Sequence, residues 1–197
     1  MAGKQLLHWV GHAFGLAEAR TQTTQAERDL LAQSAKGATC IVELGVYEGV
    51  TSRVLRAAMS PVGTLWCVDP FSRDRLGFSY GYGISRREVS QAPNGDVRFI
   101  RKFSHEAVQG WTLPIDLVFI DADHSYDAVR QDWENWSPFV RPGGAVAFHD
   151  SRHVPGRNEP HLGPIRLANE LRLVQGVGFR VAAEVDTLTV FTRDCGP

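Results

Sequence analysis

From Cys40 onward the chain alternates short apolar runs with longer stretches of helical periodicity, and that alternation admits few folds. A strand buried on both faces reads as a continuous apolar run, and a helix between two such runs makes the crossover that parallel pairing requires. Five runs fit, at residues 40–44, 64–68, 97–100, 115–120 and 145–148. Helices are expected over residues 51–59, 126–139 and 165–174, with Pro142-Gly143-Gly144 as a turn before the fifth run. Trp133, Trp136 and Phe139, three apart, read as a helix face turned to the sheet. The last two runs, residues 179–183 and 187–191, are joined only by Glu184, Val185 and Asp186. A parallel crossover needs about a dozen residues, so this pair is antiparallel. The expectation is a Rossmann-like α/β fold. Its sheet is seven-stranded and mostly parallel, with a C-terminal antiparallel hairpin strand and helices on both faces.

Ahead of the sheet, residues 24–35 read as a helix, with Thr24 as its cap and Glu27 completing a capping box. Residues 1–15 read as another. A chain of 197 residues suits one domain with a full core: an N-terminal helical extension over 1–36 and the sheet core over 37–194. A formal net charge of -1 gives no basic field for nucleic acid. The short clusters Arg86-Arg87 and residues 98–102 read as solvated surface. His8, Gly11 and His12 interrupt the apolar N-terminus, unlike a secretory signal. No apolar run reaches the roughly 18 residues of a membrane span. Cys40, Cys67 and Cys195 lack metal-ligand spacing, and the first two fall inside strands, as buried thiols in a reducing cytoplasm would.

The strongest local signal runs from Val42 to Ser52: a strand enters Gly45, then Gly49, then a helix that Thr51 or Ser52 could cap. Glycines at such a turn let backbone approach a ligand closely, and the helix N-terminus offers free N–H groups to an anion. Glu43 lies at the end of this strand, where a carboxylate can meet a cationic amino group. Asp69 ends the second strand, where it can accept from both hydroxyls of a ribose. Each alone is also an ordinary strand end or tight turn. Glu43, Gly45, Gly49 and Asp69 in this order point to a nucleoside site. Between the second and third strands, residues 73–85 carry three glycines among aromatics, read either as a closing loop or as plain surface.

The pattern resembles class I S-adenosylmethionine-dependent methyltransferases. It is closest to a bacterial branch of sugar and natural-product O-methyltransferases that carries Phe119-Ile-Asp-Ala-Asp-His-Ser-Tyr126, Arg141-Pro-Gly-Gly144 and Phe148-His-Asp150. The resemblance implies S-adenosylmethionine as cofactor and a small-molecule acceptor. It implies that Glu43 holds the methionine amino group and that Gly45 and the backbone around Tyr47 line the methionine. Asp69 would bind the ribose, Ser104 and His105 the adenine edge, and Asp121 would face the sulfonium and the acceptor.

Some of these relatives hold a divalent cation after the fourth and fifth strands. The matching positions here are Asp121, His149 and Asp150, with Asp123 nearby. Magnesium prefers oxygen ligands, and His149 stands where an acid is usual, so manganese, iron or zinc fits the set better. Without a metal, His124, His149 or His153 could take the acceptor proton. His153 and His161 flank a Gly/Pro-rich segment that could shape the acceptor pocket or be an ordinary loop. Two other functions remain open. A dinucleotide-dependent oxidoreductase shares the glycine turn, but the Gly-x-Gly-x-x-Gly spacing is absent because Val46 and Tyr47 follow Gly45. A non-catalytic nucleoside sensor would not need acids after the fourth and fifth strands. The helices ahead of the core leave room for a homodimer.

Overall fold

The structure is a computed structural model that describes residues 2–73, 77–160, 162–173 and 178–195. Its sheet has seven strands in the order β3-β2-β1-β4-β5-β7-β6. β1 (Cys40–Leu44), β2 (Thr64–Val68), β3 (Asp96–Ile100), β4 (Ile115–Ile120) and β5 (Val140–Phe148) pair in parallel. β7 (Leu188–Arg193) lies antiparallel to both β5 and β6 (Phe179–Val185). This is the expected mixed Rossmann-like sheet, hairpin included.

Alternation along each strand builds two cores. Ile41, Leu65, Cys67, Leu117 and Phe119 face one side, where they meet Leu31 and Ala35 of α2 (Gln25–Ala35) and Leu55 of α3 (Val50–Ala58). Val42, Leu44, Val118, Ile120 and Phe148 face the other, under Trp136 of α6 (Tyr126–Trp136) and Leu167 and Leu171 of α7 (Gly163–Leu173). Trp133 packs on Phe148 and Phe179 with ring centroids 5.8 and 4.8 Å away, so the aromatic face of α6 turns to the sheet as expected.

Four local expectations need correction. α3 begins at Val50 with Gly49 as N-cap in the left-handed region, so Thr51 and Ser52 are buried in its first turn instead of capping it. Pro142-Gly143-Gly144 does not precede β5 but lies within it. The pairing steps from Val140 to Ala145 while β4 advances only from Ile115 to Leu117, and Gly143 takes φ +77 to absorb the excess. The aromatic segment before β3 is helical from Tyr80: α4 (Tyr80–Ser90) starts on Ser79, whose hydroxyl accepts from Tyr82 N. Its buried face, Ile84, Ser85, Glu88 and Val89, carries the helical spacing that the glycines mask. Finally, α6 ends at Trp136 and residues 137–139 form a single 3-10 turn.

α1 (Ala2–Ala13) packs on α4, where Gly83 has no side chain to block Trp9: an added Cβ would sit 2.5 Å from the indole nitrogen. His8 Nε2 meets Glu48 at 3.0 Å and His12 Nε2 meets Glu88 at 2.9 Å. His161 and residues 74–76 and 174, which fall within sequence expectations, lie outside the described residues. No described helix is long and apolar enough to cross a membrane.

Candidate active site

The strand order reverses between β1 and β4, and ligands of open α/β sheets bind in the crevice beyond the strand ends at such a switch point. Here the backbone ladder continues past the strands. Gly45 N donates to Val68 O at 2.9 Å, Asp121 N to Leu44 O at 2.9 Å, and His149 N to Ile120 O at 3.1 Å. A cavity of about 690 Å³ opens there. Glu43, Gly45, Tyr47, Asp69, Ser104, His105, Asp121 and His124 line it. Gly49, His149 and Asp150 stand behind the wall; His153 is exposed on the loop beyond β5.

Gly45 is required by its surroundings. It has φ +86, and a Cβ there would lie 2.1 Å from the carbonyl oxygen of Asp121. Gly49, at φ +83, passes close to α4: a Cβ there would lie 2.8 Å from Ser85 Cα. Tyr47 adopts φ 53 without being glycine, an uncommon conformation, and its side chain is half-exposed. Asp69 shapes this loop: its Oδ2 accepts from Val46 N at 2.9 Å and Tyr47 N at 3.2 Å, and its Oδ1 from Phe71 N at 2.6 Å.

Glu43 is completely buried. Its sheet neighbours are Cys67 on β2 and Phe119 on β4. Ser52 donates its hydroxyl to Oε2, while Oε1 has no partner among the described residues. Burial pushes the carboxyl from an ordinary 4.5 up to about 8, against the lowering effect of Ser52. An unpartnered buried carboxylate oxygen is costly, and a cationic ligand would relieve it.

Beyond β3, Ser104 donates to Asp132 of α6, and Phe103 stacks on His105 with an interplanar angle of 12°. Burial pushes Asp132 up to about 6 against the Ser104 hydroxyl. Phe103 and Asp132 line the cavity and were not anticipated. Phe103 gave no sequence signal, and Asp132 reads as one more polar residue on a helix.

At the ends of β4 and β5 four donor atoms converge. His149 Nδ1 lies 3.1 Å from Asp121 Oδ1 and 3.4 Å from Asp150 Oδ2. His124 Nε2 lies 3.6 and 3.5 Å from the same two oxygens. Burial opposes the charge on Asp121, but hydrogen bonds from His124 and His149 hold it down at about 2. Asp121 raises His124 above its ordinary value. Burial alone would lower His149, whose side chain is 1% exposed; Asp121, Asp150 and Glu27 together push it up to about 12.

Glu27 was expected only as a helix cap. It does receive Thr24 N at 2.7 Å, but its other oxygen accepts from Thr187 N at 2.9 Å and Thr187 Oγ1 at 2.6 Å. It also approaches His149 Nε2 at 3.4 Å and Arg157 at 3.6 Å. The segment before α2 roofs the cavity with Arg20, Thr21 and Gln22, which the sequence did not single out.

The methyltransferase-domain family matches residues 42–151, which hold the glycine loop, Asp69 and the Asp121–His149 cluster. An uncharacterized protein, y4gI of Sinorhizobium fredii, is 33% identical over 119 residues, or 56% of this chain. The chain spans only 13% of that relative's length. Among solved structures, a Corynebacterium glutamicum protein superposes with a TM-score of 0.69 at 19% identity, over 99% of this chain and 90% of its own. The O-methyltransferase TomG of Streptomyces achromogenes, involved in tomaymycin synthesis and solved with S-adenosylmethionine, gives 0.65 at 17% identity over 98% and 89%. An O-methyltransferase of Bacillus cereus, in complex with S-adenosylhomocysteine, gives 0.63 at 19% identity over 97% and 90%. At such identities the likeness is one of fold, and the family match supplies the rest: the chain belongs to the methyltransferase-domain family.

Proposed function

We propose that the chain transfers a methyl group from S-adenosylmethionine to a hydroxyl of a small molecule. The observation that carries this reading is Glu43, a buried carboxylate with one oxygen unpartnered at the cavity wall, one strand from Asp69. S-adenosylmethionine, when bound, supplies a methyl on a sulfonium carbon. In this reading Glu43 meets its ammonium group. Gly45, Gly49 and the backbone at Tyr47 make room for the methionine chain. Asp69 accepts from the ribose hydroxyls; a carboxylate has about four lone-pair sites, so the loop amides do not exhaust it. Ser104 and His105, with Phe103, take the adenine edge. Asp121 faces the reacting centre. The chemistry asks mainly for alignment and exclusion of water. That TomG and the Bacillus cereus enzyme are O-methyltransferases supports oxygen as the acceptor atom.

The donor set at Asp121, His124, His149 and Asp150 fits a divalent cation. One ligand atom from each of Asp121, His124 and His149 lies within 4.8 Å of the others, and Asp150 approaches both histidines. Two imidazoles favour manganese, iron or zinc over magnesium. Such an ion would supply Lewis acidity to the acceptor hydroxyl. A cation-free site is favoured by a different observation: His149, pushed up to about 12, already offsets the charge of Asp121 and Asp150. There His124, on the cavity wall, takes the acceptor proton while the two aspartates orient it. We take residues 1–197 as one catalytic domain working in a reducing cytoplasm on small molecules rather than nucleic acid. Exposed Leu7 and Phe14 offer a face for a homodimer.

The test is turnover to S-adenosylhomocysteine across a panel of sugar and phenolic hydroxyls, with the methylated atom assigned by NMR. Activity lost in EDTA and restored by manganese supports the cation. Activity indifferent to EDTA but abolished in His124→Ala supports the histidine base. Methylation of nitrogen or carbon alone would contradict the hydroxyl reading.

A further inference from the structure

The cavity has an uneven charge. Glu43, Asp69, Asp121, Asp123 and Asp132 line it, and against them Arg20 is the one lysine or arginine among its described lining residues. The cofactor proposed above brings three charges of its own: an ammonium, a sulfonium and a carboxylate. The acids suit the first two. The carboxylate, bonded to the same carbon as the ammonium, must lie close to Glu43 and so needs a cation to offset that repulsion.

Arg20 is held where it can supply one. Its backbone N donates to Glu48 Oε2 at 2.6 Å, which fixes it beside the Gly45–Gly49 loop. Three residues on, Thr23 Oγ1 lies 3.4 Å from Thr51 Oγ1 at the start of α3. Between them, Arg157 donates to the carbonyl of Gln22 at 3.1 Å. Residues 20–23 thus form a strap pinned at three points beside the Gly45–Gly49 loop. The Arg20 guanidinium itself has no partner among the described residues.

Resting on the cofactor reading above, we propose that Arg20 binds the carboxylate of S-adenosylmethionine, so that the N-terminal extension completes the cofactor site. The planar guanidinium fork matches a carboxylate in two parallel hydrogen bonds, a geometry lysine does not reproduce.

Calorimetry on the full chain with two probes tests this. S-adenosylhomocysteine carries the amino-acid end; 5′-methylthioadenosine carries the same nucleoside and thioether without it. Arg20→Ala should weaken S-adenosylhomocysteine about tenfold and leave 5′-methylthioadenosine within about twofold. Arg20→Lys should recover part of the loss. Equal losses for both probes would show that Arg20 merely shapes the strap, and an unchanged S-adenosylhomocysteine affinity would show no contact; either overturns the proposal. A wild-type chain that binds neither probe would overturn the cofactor reading itself, and this inference with it.

Discussion

At the residue scale, Glu43 carries a cost in stability, as a carboxyl buried at the cavity wall. A carboxyl raised from 4.5 to about 8 in the folded chain holds its proton where the unfolded chain has lost it. Between those values the unfolded state binds fewer protons, so stability falls as pH rises. Without cofactor, the melting temperature of wild type should therefore decline relative to Glu43→Gln from about pH 5 to about pH 8, read by thermal unfolding of both. Parallel curves would remove Glu43 as the cause. The same substitution should weaken S-adenosylmethionine by about 10- to 100-fold, because a hydrogen bond to a charged partner is lost. Calorimetry at pH 8 measures it, and undiminished affinity would exclude contact with the ammonium. Glu43 and Asp69 could be picked out in the sequence because an acid at the end of an apolar run is out of place. Asp132 and Phe103 could not, since nothing in helix or loop composition marks a residue that only tertiary packing brings to the cavity.

At the scale of elements, α2 reaches beyond its own cap. Thr24 and Glu27 formed a capping box in the sequence, and the structure has it. Nothing near it in the chain marks the same carboxylate as buried against the turn before β7 and His149, because those partners lie 160 and 122 residues away. Glu27 is fully buried, and His149, Arg157 and Thr187 all depend on it. Removing one partner of such a network leaves charges unpaired, at about 3–5 kcal/mol. Glu27→Ala should lose about that much in urea unfolding. A loss under about 1 kcal/mol would mean that the helix cap alone is at stake. α4 was hidden for a different reason. Its first turns carry Gly81 and Gly83, which lower helix propensity, yet Gly83 admits Trp9 and so joins α1 to the sheet domain.

At the scale of the whole molecule, the fold was open to reading because few topologies satisfy five parallel-type runs followed by two joined through three residues. Handedness and burial then leave the crevice between β1 and β4 as the place for a ligand. The family match covers that crevice, and the glycine loop, Asp69 and the strand-end cluster all meet at it. Loops and the strap of residues 20–23 supply much of the rest of the cavity lining, where sequence pattern carries little. The most direct measurement is calorimetric titration of the purified chain with S-adenosylmethionine and, separately, with NAD. Micromolar binding of S-adenosylmethionine, weakened in Glu43→Gln and in Asp69→Ala, with no heat from NAD, is the predicted result. Binding of NAD without S-adenosylmethionine, or S-adenosylmethionine binding indifferent to both substitutions, would contradict the site described.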